Sequence, residues 1–337
     1  MSKIRIGIIC PSEIAFRRFM PAIQKCENAE YAGIAYANAD EWFGDSVPDE
    51  KLILSEKVKV ENFQKEYGGK VFGSYSELLN SKDIDAVYLP LPPALHYKWA
   101  KKALEHGKHI FLEKPSTTNF ADTEDLINIA KGKHLAVHEN YMFAFHRQID
   151  EIKNIISGGK LGEVRLYRIA FGFPQRDKND FRYDKALGGG ALLDCGGYTI
   201  KLAAMLLGDR AKIVYSMLNY TKDFDVDIYG SATMVNDDGV TAQLSFGMDN
   251  SYKCELEVWG SKGLLRTGRI LTAPDGFEPS AEITVGNTTE TVNLSADDTF
   301  AKSIEHFCKC VSDNKTREEN YTDILKQAEL VDSVKGA

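Results

Sequence analysis

The chain has 337 residues, 43% of them hydrophobic and 27% charged, which is the balance of an ordinary globular protein and more length than one core usually serves. Two domains are therefore expected. A net charge of −8 and a pI near 5.5 exclude the concentrated basic face that nucleic-acid phosphates require. No apolar run approaches the roughly 18 residues of a membrane span. The opening "MSKIRIGIIC" breaks its apolar stretch at Lys3 and Arg5 without a cleavage region, so the expected location is the cytoplasm. The six cysteines form no C-x-x-C pair, and the seven histidines are as dispersed, so neither a disulfide framework nor a metal site is expected.

Residues 4–10, 30–36, 84–89, 109–113 and 135–138 are short apolar segments separated by helical patterns, the rhythm of a doubly wound parallel sheet. "IDAVYLP" reads as a buried strand ending at Pro90. "ALHYKWAKKALEHGK" reads as a helix with Leu95, Trp99 and Leu104 on one face and a stop at Gly107. The charged stretch from Asp40 to Lys59 reads as a surface insertion before a helix around Glu61–Tyr67.

From Gly162 the rhythm changes, because "EVRLYRIAFGF", "KIVYSMLNY", "VDIYGSATMV", "GVTAQLSFGM" and "YKCELEVWG" follow one another with only one helix among them. Strands without helical crossovers predict an antiparallel or mixed sheet. The chain closes with two helices, about 299–312 and 322–335. The whole is an α/β protein with a parallel-sheet domain over 1–120 and an α+β domain, carrying a large, mostly antiparallel open sheet, over 121–337.

In an open parallel sheet, ligands gather beyond the carboxyl ends of the strands. The first such turn lies in "RIGIICPSEIA", where a dinucleotide fingerprint G-x-G-x-x-G/A has Cys10 and Ser12 in its glycine places and keeps only Ala15. Ser12 is placed to cap the following helix, whereas Glu13 sets a negative charge at a helix end that attracts anions, a cost of about 1 kcal/mol. Arg17 and Arg18, one turn on, are placed to offset it. After the second strand no Asp stands ready for a ribose hydroxyl unless Asp40 serves, and no Arg for a 2′-phosphate; Asn38 suits either.

"FLEKP" delivers Lys114 to the same edge, where an ammonium can polarise a hydroxyl or carbonyl. In "FRYDKALGGGALLDCGGYTIKLAAMLLG" the triplet Gly188–Gly190 permits close backbone approach. Asp194 and Tyr198, four apart, share a helix face, with Leu202, Met205 and Leu206 as the apolar stripe.

These elements resemble the Gfo/Idh/MocA oxidoreductases along nearly the whole chain, through "PLPPALHYKWAKKALEHGKHIFLEKP", "GGGALLDCGGY" and "EVWGSKGLLR". The tyrosine in D-x-G-x-[HY] is similar to the branch containing glucose–fructose oxidoreductase and dihydrodiol dehydrogenase. The resemblance implies an N-terminal Rossmann domain binding NAD or NADP. It further implies a second domain whose open sheet joins subunits into a homodimer or homotetramer.

For the site, the resemblance implies Lys114, Tyr198 and Asp194 as catalytic residues: Tyr198 moving the proton, Lys114 as its electrostatic partner, and Asp194 orienting substrate hydroxyls. Tyrosine ordinarily titrates near 10, so it needs such a cation beside it. Lys114, Arg182, Asp194 and Tyr198 are expected to bind substrate. Cys10, Pro11, Ser12, Glu13, Ile14, Ala15, Asn38, Leu91, Pro92, His96, Glu113, Lys114 and Asn140 are expected around the cofactor. Departures from the family pattern are Cys10, Ser12, Pro93, Ala144 and Arg147.

The activity so implied is hydride transfer between a nicotinamide and a secondary alcohol or carbonyl of a sugar, cyclitol or related ring. The alternatives are a non-catalytic ligand-binding homologue with weakened dinucleotide affinity and an NAD-assisted glycosidase. The partner expected is a small sugar-like substrate, with neither nucleic acid nor membrane.

Overall fold

The structure is a computed structural model that describes residues 3–42 and 50–336. The chain forms two compact units. One runs up to Asn140 and takes in Phe300–Leu325; the other comprises Tyr141–Thr299 and the residues from Lys326 on.

The first unit is built on a six-stranded parallel sheet of order β3-β2-β1-β4-β5-β6. Its strands are β1 (Ile4–Ile9), β2 (Ala29–Ala35), β3 (Lys70–Phe72), β4 (Ala86–Leu89), β5 (His109–Leu112) and β6 (Val137–Glu139). The helices are α1 (Met20–Ile23), α2 (Glu50–Tyr67), α3 (Tyr75–Asn80), α4 (Pro93–Glu105) and α5 (Phe120–Lys133). The order reverses between β1 and β4, which creates the crevice where such sheets hold ligands. In α4, Trp99, Ala100, Ala103 and Leu104 are fully buried and Gly107 turns the chain with a φ of 72°, as its pattern predicts.

Three details differ from the sequence expectation. The boundary falls near 140 rather than 120, because β6 continues the parallel ladder from β5 (Ile110 beside Val137, Leu112 beside Glu139). The last part of the chain also returns to this unit: Asn320 donates to the Val137 carbonyl and the fully buried Tyr321 to that of Leu135. The expected insertion is helical from Glu50, while its residues 43–49 lie outside the described residues. Only Val60 and Phe63 of α2 are buried, so its helical period is faint in the sequence. Strand β3, three residues between glycines, carries too little pattern to be foreseen.

The second unit carries an eight-stranded sheet of order β14-β13-β12-β11-β7-β10-β9-β8. Its strands are β7 (Val164–Gly172), β8 (Lys212–Tyr220), β9 (Asp227–Val235), β10 (Thr241–Gly247), β11 (Lys253–Gly260), β12 (Gly263–Gly268), β13 (Ser280–Val285) and β14 (Thr288–Asn293). Only β7 and β10 run parallel, and every other pair is antiparallel. The helix α6 (Arg147–Ser157) precedes this sheet, and α7 (Gly197–Leu207) packs on β7 and β10. One sheet face is core: Ile169, Phe171, Leu244, Phe246, Leu256 and Val258 are buried. Arg168, Gln243, Glu255 and Trp259 alternate onto the other face, which is exposed.

Two helices end the chain, α8 (Thr299–Ser312) and α9 (Asn314–Val334), the latter starting earlier than its expected residue 322. The segment Lys185–Leu207 is long and apolar enough for a membrane span, but 78% of its apolar 18-residue stretch is buried inside the protein, as in a core helix. Residues Gly197–Ala203 are all buried, whereas Met205 and Leu206 are only partly so. The expected stripe is in fact an almost wholly enclosed helix.

Candidate active site

The turn after β1 keeps the backbone of a dinucleotide fingerprint without its glycines. Cys10 has a φ of 84°, the left-handed conformation that the first glycine normally supplies, at a cost of about 1–2 kcal/mol for a side-chain-bearing residue. Ser12 Oγ accepts the Ala15 N–H at 3.2 Å and so caps the helix, as expected. A π-helical turn, Ala15–Phe19, follows; Pro11 and Ala15 are buried and Ala15 seats the helix against the sheet, while Glu13 and Ile14 are exposed. Glu13 pairs with Arg17 at 3.3 Å, both largely exposed, which offsets its charge at the helix end. The first N–H groups of such a helix lack partners within it and favour an anion. A left-handed first position, a capped helix start and a buried alanine in the packing place fit a dinucleotide.

At the end of β2, Asn38 and Glu41 form a capping box around the turn Ala39–Glu41: Asn38 Oδ1 accepts the Glu41 N–H at 3.0 Å, and the Glu41 carboxylate accepts the Asn38 N–H at 3.4 Å. That carboxylate also takes the Tyr75 and Ser76 N–H groups, each at 2.8 Å, and the Ser76 hydroxyl at 2.6 Å. Glu41 is thereby committed to the start of α3. Asp40 is exposed, and the Lys57 ammonium lies 5.8 Å from the Tyr36 ring centre.

Beyond β5 the chain turns at Glu113–Lys114–Pro115. Lys114 is partly exposed, whereas Glu113, Pro115, Ser116 and Thr117 are buried. Each buried neighbour is bonded from below. The Glu113 carboxylate accepts from the Tyr88 hydroxyl at 2.7 Å and the Asn140 amide at 2.8 Å. Burial raises the Glu113 pKa; those two bonds and the Lys114 charge act against the rise. Asn140 in turn accepts the Ser303 hydroxyl at 2.8 Å, His138 Nε2 lies 2.8 Å from the same hydroxyl, and Glu139 accepts the Ser116 N–H at 2.7 Å.

His96 is fully buried, with Nδ1 2.8 Å from the Pro115 carbonyl and Nε2 2.8 Å from that of Leu91. Burial lowers its pKa; the two carbonyls pull the other way, and the Lys114 charge adds to the lowering. His96, Glu113 and Asn140 were expected around the cofactor, and in the structure their side chains make these bonds within the protein. Their polar atoms face protein beneath the strand ends, where they shape the Leu91–Pro92 and Glu113–Pro115 turns.

In the second unit, the triplet brings two stretches of backbone together. Gly189 donates to the Asp184 carbonyl and Gly190 to the Arg182 carbonyl, both at 2.9 Å, and a Cβ at Gly189 would overlap the Arg182 carbonyl. Gly190 has a φ of 121° and lies against Asp227, whose carboxylate accepts the Leu192 N–H at 2.7 Å. This clamp sets Arg182 beside the helix start. Its Nε donates to Asp194 at 2.8 Å, its Nη1 to Asp180 at 3.1 Å, and its guanidinium covers the Phe181 ring at 4.6 Å. Burial disfavours the Arg182 charge, but the two carboxylates more than offset that and its pKa is raised. Arg182 and Asp194 are thus one ion-paired unit completed by Asp180, which sequence spacing did not single out.

Asp194 sits in a π-helical turn, Leu192–Gly196, a geometry frequent at functional sites. Tyr198 follows at the start of α7, 7% exposed, its ring packed edge-on against Tyr141 at 5.2 Å and Phe171 at 5.4 Å. Its hydroxyl lies 3.7 Å from Met142 Sδ. Gly197 is required here because a Cβ would overlap the Tyr141 hydroxyl. Gly197→Ala is expected to lower stability to urea by about 1–3 kcal/mol, the scale of core overpacking, and adding Tyr141→Phe to restore most of it. An unchanged unfolding midpoint in Gly197→Ala would show that the contact is not made.

Comparison with known proteins agrees with this arrangement. Residues 5–141 match the model of an oxidoreductase family with an NAD-binding Rossmann fold, and residues 149–266 match the GFO/IDH/MocA C-terminal domain. The chain is 36% identical to a dTDP-3,4-didehydro-2,6-dideoxy-alpha-D-glucose 3-reductase of Actinomadura kijaniata, over 98% of this chain and 95% of that one. It is 34% identical to a reductase of the same name from Streptomyces violaceoruber, over 99% and 95%. A crystal structure of a 3-ketoreductase from Actinomadura kijaniata, with NADP and TDP-benzene, superposes with a TM-score of 0.91 at 36% identity, covering 99% of this chain and 98% of that one. Variants of that enzyme with one lysine changed to alanine or one tyrosine to phenylalanine were solved with the same ligands; the two positions are 84 residues apart. The chain belongs to the GFO/IDH/MocA family of oxidoreductases, as an NAD(P)-dependent enzyme that moves a hydride between a nicotinamide and a CH–OH or carbonyl carbon of a sugar-like substrate.

Proposed function

We propose that this enzyme reduces the 3-keto group of a dTDP-linked deoxysugar with NADPH. The observation that carries the reading is the full-length similarity to a 3-ketoreductase whose altered lysine and tyrosine are 84 positions apart, the separation of positions 114 and 198 here. NADPH is favoured because Glu41, the carboxylate after β2, is tied to α3 and Lys57 lies over Tyr36, an environment that tolerates a 2′-phosphate. Such substrates accord with the expected cytoplasmic location.

The residues of the turn after β1, Cys10–Ala15, with Asn38, Leu91 and Pro92, would hold the dinucleotide. When bound, the reduced nicotinamide supplies a hydride to the carbonyl carbon. As negative charge grows on the carbonyl oxygen, the Tyr198 hydroxyl donates its proton to that oxygen. The Lys114 ammonium is the group proposed to stabilise the developing negative charge. Asp194, held by Arg182, accepts from a neighbouring sugar hydroxyl and fixes the ring.

We infer in addition that copies of the chain associate through the open face of the eight-stranded sheet. Across that face Glu257 accepts from Arg168 at 3.0 Å and from Arg266 at 2.9 Å, an alternating charge row that a second copy matches in reverse. Trp259 (51% exposed), Tyr215 and Met217 supply apolar area on the same face.

Two outcomes follow. Purified enzyme is expected to oxidise NADPH with a dTDP-linked 3-keto sugar, with Tyr198→Phe and Lys114→Met each lowering kcat by about 100-fold or more; near-normal turnover in either variant removes that residue from the chemistry. Sedimentation velocity is expected to show a dimer or tetramer, and Trp259→Arg a shift toward monomer, whereas a monomeric wild type excludes the interface.

A further inference from the structure

The Arg182 guanidinium is held on two sides and open on a third. Such a group carries only N–H donors, fixed in one plane, and no acceptor. Nε donates to Asp194 at 2.8 Å and Nη1 to the two oxygens of Asp180 at 3.1 and 3.3 Å, while the guanidinium lies 4.6 Å from the Phe181 ring centre. Nη2 has no hydrogen-bond partner among the described residues. Planarity sets one Nη2 N–H parallel to Nε–H, so a donor points out beside the Asp194 carboxylate. Only 22% of the Arg182 side chain is exposed, and a bond made there is stronger than in bulk water. Asp194 lies one helical turn before Tyr198, so this donor and acceptor stand next to the proposed proton donor.

We propose that Arg182 is the specificity-determining residue for the carbon beside the reacting one: its Nη2 donates to a carbonyl oxygen at C4 and so admits a sugar with keto groups at both C3 and C4. This inference rests on the reading of the enzyme as a 3-ketoreductase of dTDP-linked sugars. An oxygen at C4 meets an acceptor and a donor side by side. A C4 hydroxyl donates to Asp194. A C4 carbonyl has lone pairs only, and it lies near two carboxylates that outnumber the one guanidinium; Nη2 is the donor that turns this repulsion into a bond. Losing a charged donor to such an oxygen is expected to cost about 10- to 100-fold in discrimination.

The test compares two dTDP-linked 3-keto sugars with NADPH, one with a carbonyl at C4 and one with a hydroxyl there, and reads the ratio of their kcat/KM values. Arg182→Lys keeps a cation for the two carboxylates but loses the planar fork. It is expected to lower kcat/KM for the dicarbonyl sugar about 10- to 100-fold more than for the hydroxy sugar. Asp194→Asn puts an amide donor where a carboxylate stands and is expected to shift the ratio the opposite way, by about 3-fold or more. A residue that only holds the fold lowers both substrates alike, so an unmoved ratio in Arg182→Lys overturns the inference. So does a wild-type enzyme that reduces the hydroxy sugar and not the dicarbonyl one. Thermal unfolding identifies a variant that does not fold; if Arg182→Lys is one, the Asp194→Asn ratio decides, and no shift there overturns the inference. If the wild type reduces neither sugar, the reading of the function falls and this inference with it; if it reduces both and the ratio does not move, only the role of Arg182 falls.

Discussion

A lysine at the end of a buried strand is useful only if its backbone cannot drift, and in this protein the neighbours of Lys114 carry that burden. Glu113 is gripped by Tyr88 and Asn140, the Pro115 carbonyl meets His96, and the Ser116 N–H is taken by Glu139. All of these partners are buried, so the bonds are made in a low-dielectric setting where leaving one unmade is costly. The grip extends further along the chain than the sheet itself, since Asn140 is held by Ser303 of α8. The returning C-terminal segment is therefore part of what steadies the strand end.

The second unit solves a similar problem with glycine. Gly189 and Gly190 let the backbone around Arg182 lie directly on the helix start, and Arg182 then fixes Asp194. Gly197 lets the Tyr141 hydroxyl rest on the backbone next to Tyr198, whose ring is enclosed by aromatic neighbours. In both units the side chains proposed for chemistry are few, and the residues that fix them outnumber them.

Much of this was legible in the sequence, and the limits are physical. Strands β1, β2, β4 and β5 were readable because they are largely apolar and mostly buried, and the second sheet because its strands alternate. The residues proposed for chemistry stand out in the sequence because they follow strand ends or glycines. What a linear pattern does not carry is direction: His96, Glu113 and Asn140 look like crevice residues by position, yet their polar atoms point into protein. Asp180 and Ser303 act through partners 12 or more positions away in sequence or through a shared arginine, and no local periodicity marks such contacts. Cys10 is the converse case. The residue type argues against a dinucleotide turn, but its φ of 84° shows that the backbone shape survives the loss of glycine.

The claim that this enzyme delivers a hydride from NADPH to a sugar carbonyl is tested most directly by isotope transfer. With NADPH deuterated on the transferring face of nicotinamide C4 and a dTDP-linked 3-keto sugar, mass spectrometry of the product is expected to find one deuterium bonded to the former carbonyl carbon. A reduced product with no deuterium at that carbon, or no product at all with either nicotinamide dinucleotide, would contradict the account.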